Sequence, residues 1–180
     1  MNLGKLLTKA ALTFPNNLAV VHGPKRLTYA QFNARVNRLA NALLNQLDIR
    51  TGDNVAILQY NYPETLESIF AAFKAGCGAV PINFRLHPRE FGFIIDHSES
   101  KVVIISPEFN ESIMTVRDMF PRCRYLVTLS GAGGELLDYE DLLAAESEDF
   151  NERDVKPDDL AWLFYTSGTT GIPKLSLIHI

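Results

Sequence analysis

Three short apolar runs constrain this chain more than anything else in it: Val55-Ala56-Ile57-Leu58, Ala79-Val80-Pro81-Ile82 and Val102-Val103-Ile104-Ile105. None alternates between apolar and polar residues. A strand with one wetted face would alternate, so these strands are expected to be covered on both faces. The segments between them carry helical spacing. Leu66, Ile69, Phe70 and Phe73 line one side of Glu64–Lys74, and Phe91, Ile94 and Ile95 follow Pro88. Strands buried on both faces and alternating with helices predict an α/β fold of layered, mostly parallel sheets flanked by helices.

The remaining elements fit the same scheme. Leu3, Leu6, Leu7, Ala10 and Ala11 fall at helical spacing near the amino terminus. Leu18–Val21 reads as a short β-type run before the turn His22-Gly23-Pro24-Lys25. Thr28 stands three residues before Gln31, the spacing of a capping box. Behind it Phe32, Val36, Leu39, Ala40, Leu43, Leu44 and Leu47 keep one face for more than four turns. Further on the sequence predicts a helix over 108–119, a strand over 124–129, a loop at 131–134, a short helix over 138–146 and a connector over 147–159. The last strand is Leu160–Tyr165.

At 180 residues, with 47% hydrophobic and 21% charged residues, the chain has a globular balance for one domain or part of a larger one. Its net charge of −4 lacks the basic excess of a duplex-binding protein, so no nucleic-acid partner is expected. Eleven acids and two bases lie between Glu135 and Asp159, read as a solvated acidic connector. No apolar run approaches the length of a transmembrane helix. The amino terminus lacks a cleavage pattern, and Cys77 and Cys123 read as reduced packing residues. A soluble, cytoplasmic protein is expected.

The final strand runs into Tyr165-Thr166-Ser167-Gly168-Thr169-Thr170-Gly171-Ile172-Pro173-Lys174. Glycines let backbone N–H groups close around a polyphosphate, hydroxyls add donors, and a lysine supplies a point charge. This is not a Walker A loop: its glycines are too close together, and Leu175 stands where that motif needs Ser or Thr. The segment resembles the phosphate-binding loop of the adenylate-forming (AMP-binding) superfamily. Gly52-Asp53-Asn54-Val55-Ala56 and Phe73 through Leu86 resemble further motifs of its acyl-CoA synthetase branch. The resemblance runs from about Leu3 to Lys174.

That resemblance implies the N-terminal part of the large domain of an ATP-dependent acyl-CoA synthetase. A carboxylic acid would attack ATP, giving an acyl-adenylate and pyrophosphate, and the thiol of CoA would displace AMP. Matched by position, Thr166, Ser167, Gly168, Thr169, Thr170, Gly171 and Lys174 would cradle the β- and γ-phosphates. The Mg²⁺ ligand, the adenine and acyl pockets and a C-terminal domain with its catalytic lysine would lie downstream. No catalytic residue and no metal ligand is therefore assigned within the chain. The fragment itself is expected to be inactive and to leave apolar faces uncovered. An adenylation domain serving a carrier protein, or a non-catalytic nucleotide-binding remnant, are the alternatives.

Other chemistry-bearing residues read as structural. His22, His87 and His97 lack spaced partners that would suggest a metal. Cys77 lies between glycines, Arg85 belongs to an Asn-x-Arg step, and Trp162 and Phe164 read as sheet core. Beyond Lys174 the resemblance stops, and His179 stands one place short of the family's histidine. Leu175–Ile180 (LSLIHI) is the in-frame translation of CTG TCT CTT ATA CAC ATC, which looks like a transposon-end sequencing adapter. The expected organisation is thus 1–174 as the truncated AMP-binding portion and 175–180 as adapter read-through, although LSLIHI alternates well enough to form a strand.

Overall fold

The computed structural model of the chain describes residues 2–166 with their side chains and residues 174–179 as backbone. Seven strands form one sheet in the order β7-β6-β5-β3-β4-β8-β9. They are β3 (Asn54–Leu58), β4 (Gly78–Pro81), β5 (Val102–Ile105), β6 (Tyr125–Thr128), β7 (Leu136–Asp138), β8 (Leu160–Thr166) and β9 (Lys174–His179). All neighbours run parallel except β9, which lies antiparallel on β8. From β3 the chain steps to β4 on one side and then crosses to β5 on the other, the strand order of a doubly wound fold.

The apolar runs are buried on both faces, as their lack of alternation predicts. Val55, Ile57, Val102, Ile104 and Val127 pack under α1 (Gly4–Thr13), α2 (Tyr29–Asn45), α3 (Pro63–Lys74) and α6 (Tyr139–Ala144). Ala56, Leu58, Val80, Val103, Ile105 and Leu126 face α4 (Pro88–His97) and the segment after β5. Two cores thus sandwich one sheet. The capping box at α2 is present, with Gln31 N–H donating to Thr28 Oγ1 and Thr28 N–H donating to the Gln31 carboxamide. Gly76 turns the chain out of α3 at φ +72°, a conformation costly for any residue with a Cβ.

The structure corrects or completes the sequence reading at four places. Lys25–Thr28 is a strand, β2, forming a hairpin with β1 (Leu18–His22). Leu136–Asp138 is an edge strand, too short to carry a periodic signal. The helix expected over 108–119 is broken into a 3₁₀ turn (Pro107–Phe109), α5 (Asn110–Met114) and a second 3₁₀ turn (Arg117–Met119). The break falls at Thr115-Val116, where Val116 leaves helical geometry at φ −124°, ψ 14° and two β-branched residues stand together.

The acidic connector is largely exposed, as expected, and in addition forms a strap across α2. Asparagines at 33, 37, 41 and 45 recur every four residues on one side of that helix. The Asn37 carboxamide donates to Glu148 O at 2.7 Å, and that of Asn41 to Ser147 O and Asp149 O at 2.9 Å each. Asn45 and Gln46 hold the Glu146 carboxylate, and Arg38 holds that of Glu148. A charged cluster lies beneath. Glu67, fully buried, accepts from Arg35 Nε at 2.7 Å and from the Tyr139 hydroxyl at 2.8 Å. Burial, reinforced by Glu67, holds the Tyr139 phenol well above its ordinary pKa.

The strap is pinned at Lys74, the last residue of α3 and 0% exposed. Its ammonium donates to Thr8 Oγ1 at 2.6 Å, Asn37 Oδ1 at 2.7 Å, Asn33 Oδ1 at 2.8 Å and Glu152 Oε1 at 3.1 Å. Thr8 also donates to the same Glu152 oxygen. Asn2 Nδ2 bonds the carbonyls of Lys74 and Arg153, and Arg153 N–H donates to Lys74 O. Gly4 must be glycine because a Cβ there would collide with the lysine stem. Three helices and the strap therefore meet on one side chain.

Candidate functional site

β8 delivers the candidate phosphate loop to the carboxyl edge of the parallel sheet, where doubly wound folds hold their ligands. Thr166, its last residue, is exposed. Its register partner across β8–β9 is Lys174, so the two ends of the expected loop lie side by side. Paired positions of an antiparallel ladder are about 5 Å apart at Cα. The structure thus brings together the first and last of the candidate phosphate ligands. Ser167, Gly168, Thr169, Thr170 and Gly171 lie outside the described residues.

The same edge carries groups that the sequence did not single out. Tyr60, just past β3, packs at 4.7 Å on Phe84 and stacks at 5.6 Å on Phe109. The guanidinium of Arg85 lies over the Phe84 ring at 5.6 Å, which gives Arg85 a packing role. Tyr62 donates to Glu108 Oε1 at 2.7 Å across the gap between β3 and β5. A sequence signal existed: an aromatic residue follows each of these strands within four positions, although their meeting depends on strand order.

Beside the loop, the hydroxyl of Tyr165 is 2.9 Å from His97 Nδ1, and the imidazole stacks on Phe93 at 5.3 Å. Burial pushes the Tyr165 phenol up to about 12, so it stays protonated near neutral pH, and it donates wherever His97 Nδ1 carries no proton. His87 caps α4, its Nδ1 accepting from Arg89 N–H. His22 lies edge-on to Tyr62. Among the described residues, no group of three or more His, Cys, Asp or Glu is placed to hold a metal ion. Trp162 is partly buried against Phe73, but Phe164 is 36% exposed and belongs to the surface rather than the core.

Cys77 and Cys123 are both buried and unpaired. Burial pushes the Cys77 thiol up to about 12 and the Cys123 thiol to about 11, so neither is a ready nucleophile. Under native conditions at pH 8 both should react with a thiol reagent at least tenfold more slowly than after denaturation. Rapid labelling of either one in the native protein would contradict this packing.

A doubly wound α/β sheet with a hydroxyl- and glycine-rich loop at its carboxyl edge defines a nucleotide-binding class of fold. The relatives narrow that class. The chain belongs to the AMP-binding enzyme family, whose model matches residues 7–179. It is 37% identical over 178 residues to a feruloyl-CoA synthase of an Amycolatopsis species, covering 98% of this chain and 33% of that protein. It is also 31% identical to tyrocidine synthase 1 of Brevibacillus parabrevis, over 99% of this chain and 15% of that protein. Among solved structures, the anthranilate CoA ligase AuaEII in complex with anthranoyl-AMP superposes with a TM-score of 0.95 at 27% identity, over 99% of this chain and 35% of that one. The chain spans about a third of the length of its CoA-ligase relatives. No helix among the described residues is long and apolar enough to cross a membrane.

Proposed function

We propose that residues 1–174 are the N-terminal portion of the large domain of an AMP-forming acid–thiol ligase. The parent enzyme would join a carboxylic acid to ATP, release pyrophosphate, and pass the acyl group from the adenylate to CoA. The pairing of Thr166 with Lys174 carries this reading, because it closes a hydroxyl- and glycine-rich segment at the ligand edge of the sheet. Backbone and hydroxyl donors there, with the Lys174 charge, would stabilise the charge that develops on the leaving pyrophosphate. Residues 160–174 contain no carboxylate. The Mg²⁺ that accompanies ATP would therefore be held by residues further along the parent chain. With those residues and the C-terminal domain outside it, the 180-residue chain would not turn over alone.

Similarity to tyrocidine synthase 1 supports a second reading, an adenylation domain that loads a carrier protein. ATP–pyrophosphate exchange by the full-length parent across aryl, fatty and amino acids separates the two. Exchange with aryl or fatty acids, followed by CoA-dependent AMP release, is expected. Exchange confined to amino acids would favour the carrier-protein reading, and none with any acid would defeat both. We further propose that residues 175–180 are adapter-derived. Resequencing the source DNA by a method without transposon adapters should replace LSLIHI with a glycine-led apolar strand in an open frame.

A further inference from the structure

The strand that carries the phosphate loop is the most weakly laddered of the parallel strands. β3 shares four register pairs with β4 and four with β5, and β5 shares four with β6. β8 meets its parallel neighbour β4 through a single pair, Ala79 with Trp162. Phe164, Tyr165 and Thr166 lie beyond that pair and are laddered only to β9, itself an edge strand. Although β8 lies beside β4 and buries Leu163 in the core, no register pair beyond Trp162 ties its exit to β4. A side chain supplies the missing tie. Tyr165, immediately before Thr166, reaches out of β8 to His97 at the end of α4, with 2.9 Å between the hydroxyl and Nδ1. The imidazole is held in turn, stacked on Phe93 one turn earlier in its own helix and met edge-on by the Tyr165 ring at 5.8 Å. Phe93 packs against the core beneath α4.

We infer that Tyr165 and His97 form a positioning pin that fixes the phosphate loop against the body of the domain, tuning how the parent enzyme holds ATP. The inference rests on the ligase reading above. Neither residue touches the reacting atoms. The pin acts through the backbone: the phenol sets where Thr166 leaves the sheet, and so where the donors that follow it are presented.

The test uses the full-length parent and reads ATP–pyrophosphate exchange, thermal melting and hydrogen exchange of the peptide containing residues 166–174. Tyr165→Phe and His97→Leu each remove one hydrogen bond. Each should raise the KM for ATP about fivefold, the value of one ordinary hydrogen bond, with kcat changed less and melting almost unmoved. Hydrogen exchange in the loop peptide should quicken. His97→Gln, which keeps an acceptor for the phenol, should recover most of the affinity lost in His97→Leu. The double variant Tyr165→Phe/His97→Leu should be no worse than either single one. An unchanged KM for ATP in Tyr165→Phe, or additive losses in the double variant, would overturn the pin. A parent that exchanges pyrophosphate with no acid defeats the ligase reading, and the loop hydrogen-exchange comparison then decides the pin by itself.

Discussion

Replacing Lys74 with methionine should destabilise the full-length parent by about 3–5 kcal/mol, the usual result of removing one partner from a buried ion pair. The substitution keeps the aliphatic stem and deletes only the ammonium. Glu152, its side chain only 11% exposed, would then lack its cation, and Asn33, Asn37 and Thr8 would each lose a donor. Burial lowers the Lys74 pKa, opposed by its bond and charge attraction to Glu152. Burial would raise that of Glu152, but hydrogen bonds from Thr8, its own backbone and Lys74 outweigh it and hold the carboxylate below its ordinary value. A carboxylate depressed in the folded state contributes stability above the unfolded pKa and loses it as the pH falls through the folded one. The Glu152 contribution should therefore fade below about pH 4.5. Adding Glu152→Leu to Lys74→Met should restore part of the loss, because no unpaired charge then remains. Urea unfolding of the single and double variants checks this, and a single variant as stable as the parent would show that the cluster holds nothing together.

Lys174→Ala should lower ATP–pyrophosphate exchange by about 10²–10³, the range for removing one preorganised electrostatic contact to a transition state. Melting should stay close to that of the parent if the role of Lys174 is to meet phosphate. Lys174→Arg should recover only part of the activity. It keeps the charge, but a planar guanidinium replaces a compact ammonium. Unimpaired exchange in Lys174→Ala would remove the phosphate-loop assignment.

The sheet was legible because the apolar runs of β3, β4 and β5 have no wet face, and α2 because its capping box and seven apolar positions agree. What escaped depended on partners distant in sequence. β2 and β7 are strands only through pairing, since KRLT and LLD carry no periodic signal of their own. The acidic segment is largely exposed, as acids usually are, but its role as a strap was hidden because its partners stand about a hundred positions earlier. The asparagines at 33, 37, 41 and 45 were nonetheless visible as a polar stripe beside the apolar face of α2, and such a stripe calls for an explanation. At the candidate site the loop was legible as chemistry. The tie between Tyr165 and His97 was not, because it joins residues 68 positions apart across a crossover.

The strap also sets an order of assembly. β7 and β8 lie on opposite sides of the parallel strands, five strand spacings or about 24 Å apart, so residues 145–159 must carry the chain across the whole array. Synthesis delivers β3 through β7 before β8, so those five strands and their helices are available to pair first. Asn37 and Asn41 of α2 hold main-chain carbonyls of the strap, and Asn45 holds the Glu146 carboxylate, along its path toward the far side. The strand that leads into the proposed phosphate loop is thus the last of the parallel strands to be made. Substitutions in the strap should therefore slow the docking of β8 more than the pairing of β3 to β7, read as a separate slow phase in refolding.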